Sequence, residues 1–147
     1  MSFPDFNKNG DLPVGIYPAT LQETLDRFGE GSLQRQLVAR RLVKVYRLAK
    51  STDRLSRFVI YGSFVTNKEN PNDVDVFLVM DENFDKDAFG SEVRKVFEHL
   101  ESQNDFGVSI FWARKQFILE NEQLFIEDWQ IKRDKTRRGI VEIIEND

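Results

Sequence analysis

The chain is 147 residues long, and 40% of its residues are hydrophobic, which is enough apolar area for the core of one domain. It has no cysteine and one histidine, which excludes disulfides, thiolate nucleophiles and cysteine-ligated metals, so any metal must be held by oxygen. The formal net charge of −4 argues against a nucleic-acid partner, but the bases are unevenly distributed. Between residues 33 and 58 a single acid, Asp53, accompanies Arg35, Arg40, Arg41, Lys44, Arg47, Lys50, Arg54 and Arg57.

The first ten residues lack the basic region and apolar core of a signal peptide, and no run approaches the roughly 20 apolar residues of a membrane span. We therefore expect a cytoplasmic protein with no membrane partner. Residues 1–18 carry three prolines and two glycines, which favours an extended, irregular arm over the domain surface rather than a helix or strand.

Two helices and two strands are predicted next. Thr20 and Glu23 match a capping box, which starts a short helix that ends at glycines 29 and 31. Apolar residues recur at helical spacing over 33–50, and this helix has one basic stripe formed by Arg40, Lys44 and Arg47. Runs of β-branched and aromatic residues predict strands over 57–62 and 74–80.

The second half of the chain predicts a helix over 84–100, a strand over 108–112 and a helical segment over 114–122. Residues 124–132 and 139–144 are interpreted as two strands joined by a charged turn at 134–138. This order of elements predicts a single domain, residues 1–147, of the α/β (α+β) class, in which helices pack against a small mixed sheet.

The segment between the first two strands has the pattern that carries chemistry. Gly62 and Ser63 end one strand, and after nine residues Asp73 and Asp75 open the next. Because residues i and i+2 of a strand point to the same side, the two carboxylates are expected side by side while Val74 faces the core. Two adjacent carboxylates repel each other unless a cation lies between them, and their hard oxygens suit Mg²⁺.

The Gly-Ser pair suits a phosphate. Gly62 lets the backbone approach a phosphate closely, and Ser63 can donate its hydroxyl and amide at the start of a short helix over 63–68. An isolated Asp-x-Asp is more often a solvent-facing pair, and an isolated Gly-Ser is more often a turn. Their fixed spacing between two strands favours the phosphate site.

The segment YGSFVTNKENPNDVDVFLVM, residues 61–80, resembles the signature of the DNA polymerase beta type nucleotidyltransferases. The opening LPVGIYPATLQETLDRFG and the closing RRGIVEIIE resemble a family of small standalone bacterial proteins of this fold whose activity is largely uncharacterised. The resemblance implies the nucleotidyltransferase fold and transfer of a nucleoside monophosphate, by analogy AMP, from a nucleoside triphosphate to a protein or RNA hydroxyl. It also implies that Gly62 and Ser63 hold the triphosphate, that Asp73 and Asp75 ligate Mg²⁺ or Mn²⁺, and that a small partner protein accompanies the chain in a toxin–antitoxin or defence pair.

One position departs from the superfamily pattern. A third carboxylate is usual on the next strand, and the matching residue here is Ser109. Asp105, Glu127 or Asp128 would have to replace it. The alternative hypothesis is therefore a catalytically impaired relative that binds nucleotide, RNA or a partner protein, and a third is an unrelated domain with a chance motif.

Other candidates are open to two interpretations. The Arg40, Lys44 and Arg47 stripe either binds phosphates of RNA or nucleotide, or is an ordinary solvated helix face. A second basic cluster at 132–138 is interpreted as a charged turn, and His99 as a surface or boundary residue. The tryptophans and phenylalanines have the spacing of core residues.

Overall fold

The computed structural model describes residues 3–118 and 121–145 and is built around a five-stranded mixed sheet of order β1-β5-β2-β3-β4. The strands are β1 (Ile16–Ala19), β2 (Leu55–Tyr61), β3 (Val74–Met80), β4 (Val108–Arg114) and β5 (Ile140–Ile143). The β1–β5 and β3–β4 pairs are parallel, whereas β5–β2 and β2–β3 are antiparallel. The expected mixed α+β class is confirmed.

Five α-helices lie within the described ranges. They are α1 (Leu21–Phe28), α2 (Leu33–Lys50), α3 (Ser91–Val96), α4 (His99–Phe106) and α5 (Glu122–Glu127). The predicted capping box is present at α1, where the Thr20 hydroxyl accepts the Glu23 amide at 3.1 Å and Glu23 accepts the Thr20 amide at 2.9 Å. Helix α2 and strand β3 have the predicted bounds.

The alternation of side chains along the strands gives the sheet two apolar faces. On one face Val74, Val76 and Leu78 are fully buried in the main core, which includes residues of α1–α4. On the other face Phe77 and Val79 pack with Ile126 of α5 and with Trp129. Asp75 has the same parity as Phe77, so it opens onto the α5 side.

Several sequence predictions are corrected. Residues 16–19 form β1, although Pro18 is among them, and the arm before it is not superficial, because Leu12 is fully buried. Residues 84–100 do not form one helix: a 3₁₀ turn at 86–88 is followed by α3 and by α4, which continues to Phe106. The Leu100 side chain lies outside the described part.

The third correction concerns residues 124–132. They form no strand, since α5 covers 122–127 and a 3₁₀ turn covers 128–130. Asn121 caps this helix by accepting the amides of Gln123 and Leu124. The helical segment predicted over 114–122 appears as a 3₁₀ turn at 115–117 and as the start of α5, while residues 119 and 120 lie outside the described residues. Of the two strands expected over 124–132 and 139–144, only the second forms, as β5 at residues 140–143.

Candidate functional site

The loop that follows β2 is held by a buried arginine. The chain leaves β2 at Gly62, whose φ of 82° lies in the left-handed region, and enters a 3₁₀ turn over 63–65. The Arg35 guanidinium, which is 6% exposed, donates to the carbonyl oxygens of Phe64 at 2.8 Å, Thr66 at 2.6 Å and Lys68 at 2.6 and 3.0 Å. Arg35 therefore belongs to the scaffold of this loop and is not part of a solvent-facing basic stripe.

The predicted residues of the motif meet where β2, β3 and β4 lie side by side. Asp75 pairs with Tyr61 across the antiparallel β2–β3 ladder and with Ser109 across the parallel β3–β4 ladder. A Cβ added to Gly62 would collide with Oδ2 of Asp75. Glycine is thus required at position 62 both by its positive φ and by the carboxylate beside it.

The two carboxylates of the motif lie close enough to influence each other. Burial, and then the negative charge of Asp73, raise the pKa of Asp75 from 3.8 to about 6, against the opposing effect of Arg138 and Arg133. Burial, and then both carboxylates, also raise the pKa of Tyr61 above its ordinary value. Within the described ranges, neither aspartate's carboxylate accepts a hydrogen bond or forms an ion pair.

A cavity of about 880 Å³ opens over this end of the sheet. Its sheet side is lined by Gly62, Ser63, Asp75 and Ser109. Another part of the wall is supplied by the segment between α5 and β5, which contributes Lys132, Arg133, Asp134 and Arg138, and the loop after Gly62 contributes Lys68. The cluster interpreted from the sequence as only a charged turn therefore contributes part of the wall. Only the folded chain, which brings this cluster to the cavity that Asp75 lines, reveals this role.

Two aromatic rings lie on the α4 side of the cavity. The His99 ring stacks on Phe111 with a centroid distance of 4.5 Å and an interplanar angle of 21°, and both residues line the cavity. His99 Nδ1 is 2.9 Å from the Ile110 carbonyl oxygen, which accepts a hydrogen bond from an Nδ1–H tautomer. His99 is exposed, as expected, but it lies at the candidate site rather than on a remote surface.

The three candidates for a third carboxylate do not reach the cavity. Asp105 of α4 forms an ion pair with Lys95 at 3.3 Å, and Asp128 forms one with Arg137 at 3.8 Å. Neither they nor Glu127 are among the described residues that line it. Asp134 does line it, although its carboxylate is engaged by the hydroxyl and amide of Thr136, which hold the pKa of Asp134 below its usual value.

The basic stripe of α2 lies apart from this cavity. Arg40, Lys44 and Arg47 line a separate groove of about 550 Å³ between α1 and α2. Lys44 also approaches Glu92 at 3.8 Å. The structure thus keeps the three bases together, as predicted, but it does not bring them to Asp75.

Asp75 lines the cavity, whereas Asp73 is not among the described lining residues but is close enough for its charge to raise the pKa of Asp75. Two such carboxylates without a contacting cation form a donor set that a divalent metal fits. In residues 3–118 and 121–145, however, no group of three or more histidine, cysteine, aspartate or glutamate side chains is arranged around a single metal position. Substrate oxygens and water would have to complete the coordination, as is usual for Mg²⁺.

The family of unknown function DUF6932 matches residues 4–144, a range that includes the Gly62–Asp75 segment and the basic segment before β5. The chain belongs to this family. No curated protein matches it, and no solved structure does. Among the helices of the described ranges, none has the length and apolar character needed to span a bilayer.

Proposed function

We propose that this DUF6932 protein has the nucleotidyltransferase fold and is a magnesium-dependent, cytoplasmic nucleotidyltransferase. It moves a nucleoside monophosphate, by analogy AMP, from a nucleoside triphosphate to a hydroxyl of a protein or RNA. One observation carries the proposal: Gly62 has a positive φ and no room for a side chain against the Asp75 carboxylate, at the edge of a cavity that also contains Ser63.

Each residue of the motif then has a definite role. The Ser63 hydroxyl and amide bind phosphate oxygens, and the bare Gly62 backbone allows them to approach. Asp73 and Asp75 would hold Mg²⁺, or Mn²⁺ in its place. Such a metal supplies Lewis-acid neutralisation of the charge that develops on the transferred phosphoryl group and on the leaving oxygen. Tyr61 lines the cavity, and its phenol, whose pKa is raised further above its ordinary value, offers a further hydrogen-bond donor there.

A second candidate function is favoured by the register of the sheet. Ser109 occupies the position opposite Asp75, and the alternative carboxylates at 105, 127 and 128 do not line the cavity, so within the described residues a hydroxyl stands where the third carboxylate that activates the attacking hydroxyl is usual. A nucleotide-binding protein with impaired catalysis fits this arrangement. Such a protein would act by presenting its ligand to a partner protein or RNA, or by sequestering that ligand.

The two functions differ in turnover. Purified protein is incubated with Mg²⁺, each of the four α-³²P nucleoside triphosphates, and a cell extract that supplies protein and RNA acceptors. The enzyme hypothesis expects labelled product that disappears in Asp73→Asn/Asp75→Asn, with Asp105→Asn as the control for loss of an acidic residue elsewhere. Nucleotide binding by calorimetry without labelled product would instead support the impaired protein, and no binding would contradict both.

The same extract tests the partner expectation. A small protein that co-purifies with the chain and suppresses labelling would match the toxin–antitoxin arrangement that the resemblance implies. Labelling that is unaffected by any co-purifying protein would contradict it.

A further inference from the structure

The segment between α5 and β5 separates its basic side chains into two groups. Lys132, Arg133 and Arg138 line the cavity over Asp75. Arg137 is directed to the end of α5, where it approaches Asp128 at 3.8 Å, and Lys135 is exposed at the tip of the turn. The turn itself is closed by backbone hydrogen bonds, including that from the amide of Lys132 to the carbonyl of residue 136 at 2.8 Å.

Two of the three bases that this segment contributes to the cavity are held by a buried carboxylate from the N-terminal arm. Asp11, whose side chain is 8% exposed, accepts from Lys132 Nζ at 3.3 Å and from Arg138 Nη1 at 3.3 Å. An ionised carboxylate is buried only where it is paired, so these contacts fix where both cations can lie. Arg133 forms no ion pair within the described ranges and is exposed.

The arm that carries Asp11 also contacts the loop after Gly62. Asp11 forms an antiparallel bridge with Thr66, and the amide of Asn67 donates to the carbonyl of Gly10 at 2.9 Å. On the other side, the amide of Gly139 donates to the carbonyl of Leu12 at 2.9 Å. The arm therefore joins the two walls of the cavity.

The charges of the cavity are unevenly distributed. Asp75 lies on the sheet side with Asp73 nearby, whereas Lys132, Arg133 and Arg138 come from the segment before β5; Lys68 and Asp134 also line the cavity. Because Asp11 and Asp134 offset only two of the three positive charges of that segment, the wall keeps net positive charge. A simple cation would be repelled by this wall, and a simple anion by the aspartates. A chain of phosphates that carries a divalent cation satisfies both ends.

We propose that Lys132, Arg133 and Arg138 form an oligophosphate-binding wall, and that Asp11 is the positioning residue that holds Lys132 and Arg138 over the cavity. The inference rests on the proposed function only in taking the ligand to be the triphosphate of a nucleotide. The wall itself stands on the cavity, the three bases and the buried carboxylate.

The full-length chain is titrated with inorganic tripolyphosphate in the presence of Mg²⁺ by calorimetry. Lys132→Gln/Arg138→Gln is compared with Lys135→Gln/Arg137→Gln, which removes the same charge from the same turn but leaves the cavity wall intact. We expect at least about tenfold weaker binding in the first variant, from the loss of charge-assisted hydrogen bonds, and a change of less than about twofold in the second. Equal weakening in both variants, or no binding by the wild type, would overturn the wall.

The role of Asp11 is tested with Asp11→Asn, which keeps the shape and removes the charge. We expect tripolyphosphate binding to weaken while Mn²⁺ affinity at Asp73 and Asp75, measured by electron paramagnetic resonance, stays unchanged. A thermal melt shows that the variant is folded. Loss of Mn²⁺ affinity as well would show a general structural role and overturn the assignment as a positioning residue. Unchanged or tighter tripolyphosphate binding would also overturn it, since the variant also removes a negative charge from beside the two bases.

Failure of this inference can be distinguished from failure of the proposed function. Tripolyphosphate binding that depends on Lys132 and Arg138, with no nucleotide transfer by the wild type, would support the oligophosphate-binding wall and contradict the transferase function. Nucleotide transfer with an unchanged KM for nucleotide in Lys132→Gln/Arg138→Gln would support the transferase function and contradict the oligophosphate-binding wall.

Discussion

Asp75 of β3 lies directly opposite Ser109 of β4 in the parallel register of the sheet, and both side chains line the same cavity. The carboxylate of the candidate metal site therefore has a hydroxyl as its neighbour on the next strand. Since Ser109 is only 8% exposed, whatever replaces its side chain is forced to interact with Asp75. The identity of residue 109 therefore bears directly on which of the two proposed functions is correct.

Ser109→Asp is expected to make the protein more dependent on a divalent cation. A third carboxylate beside Asp75 and Asp73 adds repulsion without metal and adds a ligand with metal. The melting temperature should fall by several degrees in EDTA, about 2 to 4 °C for each 1 kcal/mol in a domain of this order of size, and should recover in Mg²⁺. Ser109→Asn is the control, because asparagine has the shape of aspartate without its charge. If Mg²⁺ changed the melting temperature of both variants equally, the proposed metal site would be contradicted.

The raised pKa of Asp75 predicts how stability changes with pH in the absence of metal. Because the pKa is about 6 in the folded state and about 3.8 when unperturbed, the folded protein retains a proton that the unfolded chain has released. The contribution to stability is therefore complete below pH 4 and is lost as the pH rises through 6. On the order of 2 kcal/mol is lost, after allowance for solvent screening.

Asp75→Asn should remove this loss, so that the variant is more stable than the wild type at pH 7 in EDTA. Urea denaturation at a series of pH values measures the difference. Asp105→Asn, which changes an exposed aspartate, should keep the wild-type profile. Mg²⁺ should stabilise the wild type at pH 7 and leave Asp75→Asn unaffected, whereas superimposable profiles for wild type and Asp75→Asn would contradict the burial of this carboxylate.

The elements that could be predicted from the sequence are those fixed by local signals. Thr20 and Glu23 determine the start of α1 through neighbouring amides, and the helical period of 33–50 is long enough to outweigh other patterns. The strand predicted over 124–132 was wrong because Phe125, Ile126 and Trp129 are residue types that are common in strands. Their burial against Phe77 suits a helix equally well, and the cap at Asn121 was the missed signal.

The candidate site was predictable only where its residues are near in sequence. Gly62, Ser63, Asp73 and Asp75 are separated by a single loop, so their meeting follows from one strand pair. The turn at 132–138 reaches the cavity because β5 inserts between β1 and β2, and Asp11 reaches the turn because β1 pairs with β5. No local pattern reports these long-range pairings.

Gly62→Ala is expected to lower the free energy of unfolding more than the same change at another glycine of positive φ. Gly31 has a φ of 106° and no atom within 4 Å of an added Cβ, so Gly31→Ala measures backbone strain alone, about 1 kcal/mol. Gly62→Ala adds the collision with Asp75, and the extra loss of unfolding free energy should be about 2 kcal/mol. In an Asp75→Ala background the excess should disappear. An excess that persists there would show that the carboxylate is not the obstacle.

The basic stripe of α2 gives a prediction about RNA. If Arg40, Lys44 and Arg47 contact an RNA acceptor, removing all three charges should reduce the salt dependence of binding, because each phosphate contact to a single strand contributes about 0.7 to the slope of log K against log salt. We expect Arg40→Gln/Lys44→Gln/Arg47→Gln to lower that slope by about 2, measured by fluorescence anisotropy with a single-stranded oligoribonucleotide.

The matched control removes three exposed bases outside the α1–α2 groove, namely Lys8, Arg54 and Lys115, each changed to glutamine. Both triple variants have the same net charge, so a general electrostatic attraction would lower the two slopes equally. A slope that falls only in the α2 variant would identify the groove as the RNA contact. Equal slopes, or no binding of the oligoribonucleotide by the wild type, would leave a protein hydroxyl as the acceptor and make the stripe an ordinary solvated helix face.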